Sequence, residues 1–142
     1  MSYQAVSFTE EENYTKVFTD LPDSKSMLYT KSHDWMISTF NDAESVIQHQ
    51  DKEEGIIMGK YLLNGKVASG AYGTTLDTRV YAKIDIQVKD NKARIIIEPL
   101  SEWQYDASGM TIYSYSKDMA IADMKSLADD FYSHIQKQRA DF

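Results

Sequence analysis

Residues 23–59 read DSKSMLYTKSHDWMISTFNDAESVIQHQDKEEGIIMG, and the period of the apolar residues changes partway along. Ser24 is a good helix N-cap, with Asp23 beside it at the positive end of the helix dipole. At about 100° per residue, Leu28, Tyr29, Ser32, Trp35, Met36, Thr39 and Phe40 fall within an arc of roughly 140°. Lys31, His33 and Asp34 are expected on the other side. Asn41-Asp42 ends the helix. Ser45 to Gln50, the turn Asp51-Lys52-Glu53-Glu54-Gly55 and Ile56 to Leu63 then read as a β-hairpin. In its second strand Ile57, Gly59, Tyr61 and Leu63 share one face, and Ile56, Met58, Lys60 and Leu62 share the other.

Outward from this stretch, residues 1–13 are polar and read as a flexible lead-in. Tyr14 to Leu21, rich in Thr, Val and aromatics, reads as a strand stopped by Pro22. Residues 64–77, NGKVASGAYGTTLD, hold three glycines and read as a long mobile loop. The clearest strand follows at Thr78–Lys89. There Val80, Ala82, Ile84, Ile86 and Val88 alternate with Arg79, Tyr81, Lys83, Asp85, Gln87 and Lys89, so one face is buried and one is wet. Asp90-Asn91-Lys92 is a hairpin turn, and Ala93–Pro99 is the return strand. Ser101–Tyr115 reads as irregular, with a short strand at Met110–Tyr113. Ser116 caps a last helix with the apolar stripe Ile121, Met124, Leu127, Ala128, Phe131 and Ile135; Lys125, Asp129, Asp130 and Gln136 face water. The order β-α-β-β-β-β-α predicts an α+β class: one domain over 1–142, with a single antiparallel sheet of about five strands. Because the longest strand has one apolar face, both helices are expected on the same side and the other side is left open.

The chain has 142 residues, 42% hydrophobic and 26% charged, the composition of an ordinary globular domain. A domain of this size buries roughly 68–70% of the surface its unfolded chain exposes, so it needs no disulfide or metal staple. The absence of cysteine excludes disulfides, thiolate metal sites and a cysteine nucleophile. Fifteen Lys and Arg against 22 Asp and Glu give a net charge of −7. That weighs against a phosphate backbone as the main partner, since counterion release needs clustered positive charge. No apolar run reaches the ~18 residues of a membrane-spanning helix. Met1–Glu12 has no signal-peptide core, so the expected setting is the cytoplasm, or the periplasm or cell envelope if a leader is trimmed ahead of it.

Together these residues resemble a bacterial domain-of-unknown-function family, known chiefly from Bacteroidetes, whose fold is like that of the TATA-binding protein. The similarity rests on Ser24-Lys25 before Leu28-Tyr29, on Trp35 and Phe40, and on Val46-Ile47-Gln48. It continues through Asp51 to Gly55-Ile56, Gly59-Lys60, Val88-Lys89-Asp90 and Arg94, and covers roughly residues 14–98. The resemblance implies a curved antiparallel sheet covered by helices on one face. It also implies an exported setting, because family members often carry signal or lipoprotein leaders. It implies no catalytic motif that transfers to this chain.

Trp35 and Phe40 lie on the helix stripe and read as core. The open sheet face is the sharper candidate site. By alternation it carries Met58, Lys60 and Leu62 from one strand and Arg79, Tyr81, Lys83, Asp85, Gln87 and Lys89 from the next, and Arg94, Ile96 and Glu98 join from the return strand unless the turn reverses their parity. Of these, Lys60, Arg79, Tyr81, Lys83 and Arg94 are the candidate site residues. Apolar and cationic groups mixed on an uncovered sheet suit an unidentified protein or peptide, a small anionic ligand, or a second copy of the sheet as a homodimer. A solvated face of cross-strand charge pairs is the plain alternative. His33, His49 and His134 lack ligand spacing, and Asp51, Glu53 and Glu54 lack the oxygen alternation of a calcium loop. Gly65, Gly70 and Gly73 match neither a phosphate loop nor a dinucleotide fingerprint. Ala68-Ser69-Gly70 falls short of a nucleophile elbow. No cofactor is implied. The expected role is therefore a non-catalytic binding module. The alternatives are a small hydrolase-like enzyme with a carboxylate site by the 64–77 loop, near Asp77 or Asp85, and a self-associating structural domain.

Overall fold

Ser24 opens helix α1 (Lys25–Thr39), its Oγ accepting from the Met27 amide at 3.3 Å. No acidic residue lies in the first turn. The Asp90 carboxylate supplies the missing negative charge from across the fold, accepting from the Lys25 amide at 2.7 Å. In this computed structural model the backbone is described for residues 2–6, 13–40, 45–64, 68–69, 75–76, 80–99, 102–107, 110–115 and 117–137. The strands are β1 (Ser2–Val6), β2 (Tyr14–Phe18), β3 (Val46–Asp51), β4 (Ile56–Asn64), β5 (Ala68–Ser69), β6 (Thr75–Leu76), β7 (Val80–Lys89), β8 (Lys92–Pro99), β9 (Glu102–Ala107) and β10 (Met110–Tyr115). Helix α2 spans Lys117–Gln136.

Five strands form one antiparallel sheet in the order β2-β8-β7-β4-β3. Helix α1 joins the two edge strands, and the β7–β8 hairpin occupies the middle. Both helices pack on one face. Leu28, Trp35 and Met36 from α1 and Met124, Ala128, Phe131 and Ile135 from α2 meet Ile57, Ile84, Ile86, Ile95 and Ile97 in a single core. The Trp35 ring meets Phe131 edge-on at 5.1 Å, and its Nε1 donates to Asp130 Oδ2 at 2.9 Å. Phe18 on β2 stacks on Tyr132 at 4.3 Å. The α+β reading, with an open sheet and two helices on one side, is the observed architecture.

Several details depart from expectation. Lys31 is buried in the helix interface rather than turned to water. Its ammonium pairs with Asp23 at 2.8 Å and donates to the Ile135 carbonyl at 3.2 Å, in the last turn of α2, where carbonyls have no helical partner. A lysine is tolerated there because both its stem and its charge are used. In α2, Ala120 is fully buried and Ile121 is 39% exposed, so the stripe begins one residue earlier than the larger side chain suggests. The Ser116 cap lies outside the described residues. The chain start is not all lead-in: Ser2–Val6 pairs antiparallel with β9, which also pairs antiparallel with β10, so Glu102–Ala107 and Met110–Tyr115 are strands of a separate three-stranded sheet. Within the glycine-bearing stretch Ala68–Ser69 pairs Thr75–Leu76, and most of the rest lies outside the described residues.

Three turns meet at one end of the main sheet. Asn91, at φ 65°, receives the Leu21 amide on its carbonyl at 3.1 Å. Its backbone amide donates to the Asp23 carbonyl at 3.0 Å, and its side-chain amide donates to the Leu21 carbonyl at 2.8 Å. Gly55, at φ 71°, accepts the Val88 amide at 2.8 Å, and the Lys25 ammonium donates to the Glu53 carbonyl. A side chain at Gly55 would bring its Cβ within 2.4 Å of the Val88 carbonyl. At Gly59 a Cβ would come within 2.5 Å of the ring of Phe40, the C-cap of α1.

Candidate functional site

Register fixes which side chains share the face away from the helices. Along β7 these are Tyr81, Lys83, Asp85, Gln87 and Lys89. Their partners on β4 are Leu62, Lys60, Met58 and Ile56. Their partners on β8 are Glu98, Ile96, Arg94 and Lys92. The two-residue turn Asp90–Asn91 sets the parity of β8, so Arg94, Ile96 and Glu98 stand on the open face as read from sequence. Thr15 and Val17 of β2 continue it at one edge, and Val46 and His49 of β3 at the other. Val17 is 52% exposed and Val46 46% exposed. Lys83 and Arg94 are exposed, while Lys60, Tyr81, Asp85 and Gln87 are half-buried.

The face is cationic in an acidic chain: Lys60, Lys83, Lys89, Lys92 and Arg94 stand against Asp51, Asp85 and Glu98. Lys60 and Lys83 are direct cross-strand partners, which like charges disfavour. Two features relieve this pair. The Lys60 ammonium lies 4.1 Å from the centre of the Tyr81 ring, a cation–π contact, and Glu98 flanks Lys83 on β8. A polar chain crosses the next rows. Arg94 Nη2 donates to Gln87 Oε1, and Gln87 Nε2 donates to Asp85 Oδ2 at 3.4 Å. The other oxygen, Asp85 Oδ1, is buried without a hydrogen-bond partner. Among the described residues the one ion pair is Lys31–Asp23, on the helix side.

Four of the five expected site residues, Lys60, Tyr81, Lys83 and Arg94, therefore stand on one surface. Arg79 lies outside the described residues, as does Asp77. Alternation also places Gln87 on this face but does not show its contact with Arg94, and Lys92, read as a turn residue, instead opens β8 directly opposite Lys89. The two-residue spacing of the turn was the available signal for Lys92. Among the described residues no group of three or more His, Asp or Glu could hold a metal ion. His33 instead shares a hydrogen bond with Gln50 at 2.8 Å.

Three clefts bear on function. One of 590 Å³ lies between the helices and β4, lined by Ser38, Tyr61, Asp123, Ser126 and Asp130 among others. One of 380 Å³ borders β3 at His33 and His49. The third, 170 Å³, sits at the turn end of the open face, lined by Val17, Gln87, Lys89, Lys92, Ala93 and Arg94. No helix is long and apolar enough to cross a membrane, among the described residues.

None of the curated proteins matches the chain. Among solved structures, a TBP-like protein from Parabacteroides distasonis superposes with a TM-score of 0.63 at 14% identity, covering 94% of this chain and 99% of that one. A DUF4468 family protein from Bacteroides ovatus superposes with a TM-score of 0.52 at 17% identity, covering 91% of this chain and 87% of that one. At such identities the likeness concerns the fold. A family model, the domain of unknown function DUF4468 with TBP-like fold, matches residues 14–103. That span holds all five strands of the main sheet and helix α1, and on it the chain belongs to the DUF4468 family.

Proposed function

We propose that the domain is a non-catalytic binding module that uses the open sheet face to hold an anionic partner, a protein or peptide segment or a small ligand. One observation carries this reading: a face bearing five cations, with Lys83 exposed and without an ion pair at its centre, in a chain of net charge −7. Half-buried Ile56, Met58, Leu62 and Ile96 supply apolar contact between those charges, the mixture that peptide-binding surfaces use. The exported or cell-envelope setting that the family resemblance implies would be checked by fractionation of cells expressing the full reading frame. The direct test is capture of partners by the wild-type chain and by Lys83→Glu/Arg94→Glu. Loss of a partner from the double variant is expected. A partner retained equally by both would show that the face is not the working surface.

A further inference from the structure

At the turn end of the open face, Lys89 and Lys92 are direct cross-strand partners, and Arg94 follows two residues along β8 on the same side. Like charges placed directly opposite each other disfavour the hairpin. In the Lys60–Lys83 row an aromatic ring and a flanking glutamate offset that cost, and here no ring or acid among the described residues does. None of the three cations forms an ion pair among the described residues. The nearest acid in sequence, Asp90, is turned to the opposite side, where it caps α1 through the Lys25 amide. Around the neighbouring turn, Asp51 accepts the Glu54 amide at 3.1 Å, and Glu54 makes no ion pair with Lys89. Arg94 is held by a neutral acceptor, Gln87, so its orientation is set while its charge stays uncompensated.

These groups surround the 170 Å³ cleft. With a liquid water occupying about 30 Å³, that is room for a small polyatomic anion. Its far wall is Val17, half exposed and apolar. We propose that this corner is a subsite for a phosphate-type dianion, either inorganic phosphate or the terminal group of a phosphate monoester. The assignment rests on the open face being the working surface. A phosphate offers three terminal oxygens and close to two charges, which answers an arginine fork and two lysines better than a carboxylate does. Val17 is placed to meet the carbon portion of an ester. A nucleic-acid backbone fits less well, because the cations form one corner and not a track.

The test is a backbone amide chemical-shift titration of the full chain at fixed ionic strength. The probes are inorganic phosphate, glycerol 3-phosphate and acetate. Saturable shifts at Gln87–Arg94 are expected with a dissociation constant on the order of 1 mM for at least one phosphate probe. Lys89→Gln/Lys92→Gln should weaken binding about tenfold or more, and acetate should bind about tenfold more weakly than phosphate. Tighter binding of the ester than of phosphate identifies an esterified ligand, and equal binding identifies free phosphate; both uphold the subsite. No saturable shift at 87–94, shifts unchanged in the double variant, or acetate equal to phosphate would overturn it. If the titration fails but Lys83→Glu/Arg94→Glu still loses a captured partner, the corner is wrong and the face survives. If both fail, both assignments go.

Discussion

The two faces of the main sheet come from the same strands under opposite constraints. On the helix side of β7, Val80, Ala82, Ile84, Ile86 and Val88 are at most 2% exposed, and Ala82 to Val88 on that side lie in the apolar core shared with the helices. On the other side, one residue away each time, stand Tyr81, Lys83, Asp85, Gln87 and Lys89, where Lys60 sits over the Tyr81 ring, Gln87 bridges Arg94 and Asp85, and Asp85 Oδ1 is left without a partner. The covered face is close-packed, so its side chains are set by shape. The open face is set by charge, and its contacts leave capacity unused. This contrast teaches that the residues carrying the family resemblance divide in the same way. Ser24, Trp35, Phe40, Asp51, Gly55, Gly59 and Asp90 are consumed in capping, turns and helix–sheet contact. Lys60, Lys89 and Arg94 are not.

Mutations on the two faces should therefore separate cleanly. Trp35→Ala removes the ring packed on Phe131 and the partner of Asp130, and is expected to cost about 3–5 kcal/mol in denaturant unfolding. An unchanged midpoint would show that α1 does not seal the sheet. Gly59→Val forces a side chain against Phe40 and the Val46 carbonyl, 2.5 and 2.9 Å from its Cβ, and should cost about 1–3 kcal/mol. Asp90→Ala strips the distant cap of α1 and should cost about 1 kcal/mol in the same assay. On the open face, Lys83→Glu should move stability by no more than about 0.5 kcal/mol. A larger loss there would erase the distinction between the faces.

The smallest effect concerns pH. Partial burial, and then the nearby Asp51 charge, raise the Tyr29 phenol above its ordinary pKa of 10.0. The folded chain thus keeps this proton to higher pH than the unfolded chain. Its contribution is complete below the unfolded value and is lost as pH rises through the folded one. Tyr29→Phe should make the alkaline fall in stability shallower, read by unfolding midpoints across that range; an identical profile would contradict the shift.

Much of this contrast is legible in the chain because it depends on period alone. The alternation of residues 80–89 and the 51–55 turn state which face is which. What escapes is non-local. Lys31 looks like a surface residue until Asp23 and the Ile135 carbonyl converge on it. Ala120 replaces Ile121 on the α2 stripe because a small residue can face a close neighbour and a large one carries more weight in any hydrophobic reading. The pairing of Ser2–Val6 with Glu102–Ala107 joins opposite ends of the chain, and neither segment announces its partner. At the site, Lys60, Tyr81 and Lys83 were readable from alternation. Gln87 was readable the same way, whereas Arg94 and Lys92 needed the register of the turn.

The strand order has a consequence for how the chain is made. β2 leaves the ribosome early, yet within its sheet it bonds only to β8, at residues 93–97. Until that segment is synthesised, β2 has no strand to dock on, and until β7 is made the hairpin β3–β4 carries its inner edge bare. Vectorial synthesis therefore holds two sticky edges open until the β7–β8 hairpin threads between them. A prematurely stopped chain ending before residue 93 would be not a smaller version of this domain but a substrate for chaperones and proteases.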